Sequence, residues 1–125
     1  MINPGIYFTR GTLLAQDVDI IASLVNNELD VTTNITLDGT HCVIMCRAFG
    51  NITINLPSIA TIGKIIFVFV KVSNTGATLI QCNGFDRIIF PSGSSAPAVG
   101  IATIGSSITL LSDPTTGYWF PLASN

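Results

Sequence analysis

His41 is the single histidine of the chain and stands directly before Cys42, so cysteine or serine nucleophilic catalysis is the first chemistry to test. Neighbours along a strand point to opposite faces, which keeps the imidazole away from the Cys42 thiol. No Gly-x-Ser-x-Gly elbow offers a serine in its place. Cys42, Cys46 and Cys82 are three thiols, an odd number, and MINPGIYFTRG has neither the basic start nor the apolar run of an export signal, so free thiols are expected. Cys42 and Cys46 are four residues apart on one strand, on the same face and roughly 13 Å from each other at about 3.3 Å per residue, which excludes a bridge between them. Zinc-type spacing is missing, so these read as buried structural cysteines with no metal.

The seven carboxylates, Asp17, Asp19, Glu28, Asp30, Asp38, Asp86 and Asp113, fall at turns or on a polar helix face and read as solvated surface rather than as an acid/base pair. No phosphate-cradling glycine motif occurs. Five basic residues against seven acidic ones give a net charge of −2, which leaves no basic face for nucleic acid. Catalytic, cofactor and metal residues are therefore expected to be none. Asn34-Ile35-Thr36 and Asn51-Ile52-Thr53 match the glycosylation pattern, but alternation in Thr- and Asn-rich strands produces such triplets by chance, and no modification is expected.

The elements behind these residues are β. Ile, Val and Thr supply 40 of 125 residues, and β-branched side chains suit a pleated sheet. Only 10% of the chain is charged and 48% is hydrophobic, which excludes disorder. Runs such as VTTNITL, HCVIMCRAF, ITINL, KIIFVFVKV, ATLIQ, DRIIF, SITLL and YWFPL are separated by turn residues, the rhythm of an all-β domain. The six apolar residues Ile65 to Val70 lie between Lys64 and Lys71, far short of the roughly 20 needed to span a bilayer, so no membrane insertion is expected.

Faces follow from alternation. Asn51 to Leu56 has apolar residues at every second place and predicts one wet face. Ile65 to Val70 and Cys42 to Cys46 are apolar on both faces, more than so small a domain covers by itself, which points to a subunit interface. Residues 12–28 (TLLAQDVDIIASLVNNE) are the one helix expected. Leu14, Val18, Ile21 and Val25 form a seam that packs either against its own copies around a three-fold axis or against the β domain. Residues 1–30 are thus expected to be an N-terminal arm and short neck helix, and residues 31–125 the β domain. The stretch from Pro91 to Gly105 reads as a loop, either a recognition loop or a connector packing Val99, Ile101 and Ile104.

NITINLPS (Asn51–Ser58), Gly63-Lys64 leading into IIFVFVKV with SNTGATLIQ behind it, and SSITLLSDPTTGYWFPL (Ser106–Leu122) occur in that order. Together they resemble a β domain recurrent in viral fibre and spike proteins, phage tail fibres included. In that pattern a strand ends in Leu-Pro, a Gly-Lys or Gly-Arg precedes an apolar strand, and a last hairpin closes on a Trp, here Trp119. The resemblance covers roughly Val31 to Leu122. It implies a homotrimeric virion-surface domain of phage or large DNA virus type, structural or adhesive in role and without catalytic residues.

The expectation is therefore an all-β, antiparallel β-sandwich, jelly-roll or prism-like domain with a short N-terminal helix, forming a trimer. Its core and trimer-interface candidates are Leu14, Val18, Ile21, Val25, Phe67, Phe69 and Trp119. Trp119 reads first as a core plug and second as a ligand platform. The expected function is a non-enzymatic viral fibre- or knob-like structural protein for assembly or host attachment, made in the host cytoplasm, not secreted, and located in the virion. Its expected partners are its own copies, other virion proteins and a host-surface glycan or receptor. The alternative is a small glycan- or ligand-binding β module using Asn, Thr and Tyr118 on a loop rim.

Overall fold

The computed structural model describes residues 27–73 and 76–124. The β-branched runs form β1 (Glu28–Val31), β2 (Ile35–Thr36), β3 (Val43–Cys46), β4 (Ile52–Asn55), β5 (Ile66–Lys71), β6 (Thr78–Gln81), β7 (Arg87–Ile89), β8 (Ser95–Ala96), β9 (Ala98–Ile101), β10 (Ser107–Asp113) and β11 (Tyr118–Ser124). A four-residue helix, α1 (Ile59–Ile62), lies between β4 and β5. The seven-stranded sheet runs β1-β3-β5-β10-β11-β7-β8 and the four-stranded sheet β2-β4-β6-β9.

Consecutive strands from β1 to β6 alternate between the two sheets, and like strands of successive turns pair in parallel. The chain thus winds as three stacked coils. Glu28 lies level with Val43, and Val43 with Val68, in the large sheet; Ile35 lies level with Ile54, and Ile54 with Ile80, in the small one. After the coils, β10 pairs antiparallel with β5 and turns back as β11.

One corner of the coil stack is held by asparagine amides. Asn34 Oδ1 accepts the Thr53 N–H at 2.8 Å, and Asn51 Oδ1 accepts the Ala77 N–H at 2.7 Å. Each Asn stands just before a small-sheet strand and bonds the next coil, satisfying a donor that would otherwise face water. Both glycosylation-like triplets therefore have a structural reason. Gly76, at φ +82°, lies so near the previous coil that a Cβ would sit 2.4 Å from the Gly50 carbonyl carbon. Only glycine fits that corner.

The inward positions of both sheets merge into one apolar cluster that includes Ile44, Phe67, Phe69, Leu110 and Trp119 from the large sheet and Ile52, Ile54 and Ile80 from the small one. The Phe67 ring centroid is 5.9 Å from Phe69 and 5.8 Å from Trp119. Trp119 is fully buried as a core plug, with its indole N–H unpartnered. Lys71, the last inward residue of β5, is buried as well and donates to Thr78 Oγ1 at 3.4 Å. Ser112 Oγ accepts the Ile65 N–H at 2.8 Å and donates to the Gly63 carbonyl at 2.6 Å, fixing the approach to β5.

The structure differs from the sequence expectation in several places. The sheets are mixed rather than antiparallel, because strands adjacent in sequence cross between sheets instead of folding back as hairpins. The expected loop from Pro91 to Gly105 contains β8 and β9, which exist through pairing with β7 and β6. Val99 and Ile101 pack inward there, whereas Ile104 is exposed. Strand β1 opens at Glu28 and pairs in parallel with β3. Helix α1 was not expected; its first N–H, on Ile59, is accepted by Asp86 Oδ2 at 2.9 Å, a cap that comes from 27 residues away. The neck-helix candidates Leu14, Val18, Ile21 and Val25 lie outside the described residues.

Truncating either core ring, Phe67→Ala or Phe69→Ala, is expected to cost about 3–5 kcal/mol in denaturant unfolding through the cavity left behind.

Candidate functional site

The two-residue period of a strand places Phe67 and Phe69 inward and turns Ile66, Val68 and Val70 outward. Pairing then lines up the neighbours. Val43 lies beside Val68 and Val68 beside Thr109, Met45 lies beside Val70, and Ile66 lies beside Leu111, which lies beside Phe120. Tyr118 meets Phe120 edge to face at 6.3 Å between centroids. Cross-strand neighbours sit about 4.5–5.5 Å apart at Cβ, so these side chains form one continuous surface over β3, β5, β10 and β11. Most are half-buried by one another, while Ile66 is 44% exposed.

Among the described residues, charge stands at the edges of this surface and at its hairpin end, where Asp113 of β10 lies beside Tyr118 and Tyr118 beside Arg87. Glu28 and Asp30 stand on edge strand β1, where Arg47 Nε meets Asp30 Oδ1 at 2.7 Å, and Arg87 stands on β7 near the other edge. The outer face of the small sheet is different: Thr53, Asn55 and Gln81 occupy it, with Leu79 as an isolated apolar residue. One sheet is thus wet outside, and the other presents a largely apolar face with its charges at the edges and the hairpin end. Contiguous apolar patches on a monomer's exterior mark interaction sites.

The sequence candidates Phe67, Phe69 and Trp119 are core residues, and the surface is built by their outward neighbours. Leu111 and Phe120 were missed, and Tyr118, expected on a loop rim, stands at the start of β11 on this face. The signal was there in YWFPL, which is as continuously apolar as IIFVFV and so equally unable to hide both faces.

Thr40 Oγ1 donates to Asp38 Oδ1 at 2.7 Å and lies 3.0 Å from His41 Nδ1. The two Thr40 hydrogen bonds hold the Asp38 carboxyl below its usual range and close the Asp38-Gly39 turn. All three cysteines are free. Burial raises the thiols of Cys42 and Cys46, and burial reinforced by the Asp86 charge pushes Cys82 up to about 11. Among the described residues no group of three or more His, Cys, Asp or Glu could hold a metal ion, and no helix is long and apolar enough to cross a membrane. Comparison with protein-family models, curated proteins and solved structures finds no match to this chain.

Two outcomes are expected. Because folded Cys82 keeps its proton to about pH 11 while an unfolded thiol loses it near 9, unfolding releases a proton in that window and stability falls as pH rises through it; Cys82→Ala should flatten that slope in pH-dependent denaturant melts. Val68→Asp places a charge on the outer face without touching the core, and its unfolding midpoint should stay close to that of the unaltered chain if no partner covers the face, but fall if one does.

Proposed function

We propose that this protein is a non-enzymatic structural subunit that assembles as a homotrimer, in the manner of a fibre- or knob-like domain of a virus particle. The outer face of the large sheet carries the reading. A strand with apolar residues on both faces needs two covers; the core supplies one to β5, and further copies of the chain supply the other. The order of the Leu56-Pro57, Gly63-Lys64 and Trp119 motifs, which resembles viral fibre domains, favours three copies and a place at the virion surface or capsid. In this reading the chain is made in the host cytoplasm and its partners are its own copies, other virion proteins and a host-surface glycan or receptor.

Reactive groups contribute nothing to this role. Thiols raised by burial are poor nucleophiles, and the one histidine is tied into a turn. Multi-angle light scattering on the purified chain should give about three times its 13.2 kDa mass, and Val68→Asp or Leu111→Asp should lower it to a single chain. A single-chain mass for the unaltered protein would overturn the reading.

A further inference from the structure

The coil stack is closed at one end and open at the other. Beyond the third coil, β10 pairs with β5 and β9 with β6, so both of its strands have a neighbour on the far side. At the first coil, β1 and β2 are the last strands of their sheets among the described residues. The side chains record the difference. Leu29 and Ile35 stand level with Ile44 and Ile54 of the second coil. Ile44 and Ile54 are fully buried, whereas Leu29 and Ile35 pack against the core on one side and are only half-buried. A cavity of about 210 Å³ is lined by both, with Leu37 and His41 in its walls. Terminal repeats of a stack need a cover with a polar outer side, because they lack the neighbour that buries every inner repeat.

The chain carries its own cover to this end. Residues 1–26 precede the described part and join it here: the Asn27 carbonyl accepts the Cys42 and Val43 N–H groups, each at 3.2 Å, which fixes the entry beside the start of β3. Only Asn26 and Asn27 separate Val25 from β1, so anything upstream is delivered to the open coil at high effective concentration. At about 100° per residue, Leu14, Val18, Ile21 and Val25 fall in one narrow stripe, with Gln16, Asp19 and Ser23 opposite. The sizes agree as well. Packed sheets lie about 10 Å apart, and a helix is about 10–12 Å across. A second copy fits this end poorly, because stacking β1 on β1 would set one acidic edge, Glu28 and Asp30 beside a single Arg47, against another.

We infer that residues 12–25 fold back as a helix over the first coil of their own chain and seat Leu14, Val18, Ile21 and Val25 on Leu29 and Ile35, capping the stack. The seam is then used within one chain and is not free to line a three-fold axis. This leaves the proposed trimer to the outer face of the large sheet, and the cap holds whether or not copies associate.

Photo-crosslinking of the full chain tests it, with benzoylphenylalanine placed at Ile21 or, separately, at Val18. After irradiation the product should run at the mass of one chain on a denaturing gel, and peptide mass spectrometry should map the link to residues 28–41. Adding Ile35→Asp puts a charge on the open coil and should remove most of that yield, while Ile66→Asp, on the outer face of the large sheet, should leave it unchanged. Circular dichroism melts establish which variants are folded. Links that join two chains, links that fall outside residues 28–41, a lack of links, or an undiminished yield in folded Ile35→Asp would each overturn the inference. Single-chain links at residues 28–41 in a protein whose solution mass is also one chain would leave the cap standing and remove the trimer.

Discussion

The structure depends on the parallel stacking of coils, which gives the paired residues of β1 to β6 a same-sided neighbour one coil away. A parallel pair repeats side-chain orientation from strand to strand, so one inward Phe on β5 commits the aligned residues of β3 to the inside and their neighbours to the outside. Register accordingly decides both the core and the exterior at once. Phe67, Phe69 and Ile44 fill the interior, and the same pairing aligns Val43 with Val68 and Met45 with Val70 on the outer surface. Core and candidate interface are two sides of one constraint.

The coil corners make that register possible. Parallel ladders need their connections to stack without stranding backbone donors, and the amides of Asn34 and Asn51 provide acceptors where the ladder begins. Gly76 lets the third coil approach the second at the backbone level. The buried Lys71–Thr78 hydrogen bond crosses from the large sheet to the small one just inside this corner, a polar link within a largely apolar interior.

Much of this was legible in local pattern and much was not. Alternation in Asn51 to Leu56 told correctly of one wet face, and the unbroken Ile65 to Val70 told of two apolar ones, because period and face are set by the strand itself. Winding was illegible: Gly and Pro turns look the same whether the next strand folds back or crosses to the other sheet. Strands β8 and β9 were hidden in a small, Ser- and Gly-rich segment because their pairing with β7 and β6 outweighs weak local propensity. Asn34 and Asn51 looked like chance products of alternation until the coils placed each beside a donor N–H. For the candidate surface, the strands of the final hairpin carried the same double-sided signal as β5, and only the register assembled them into one face.

Met45 offers the most direct test, since it lies on the outer face beside Val70 and its thioether is oxidised by peroxide wherever solvent reaches it. The rate of Met45 sulfoxide formation, read by peptide mass spectrometry on concentrated and highly diluted protein, reports whether that face is covered. The account predicts strong protection when concentrated and its loss on dilution or in Val68→Asp. Equal, rapid oxidation at every concentration would contradict it, because the face would then stand open to water in the working protein.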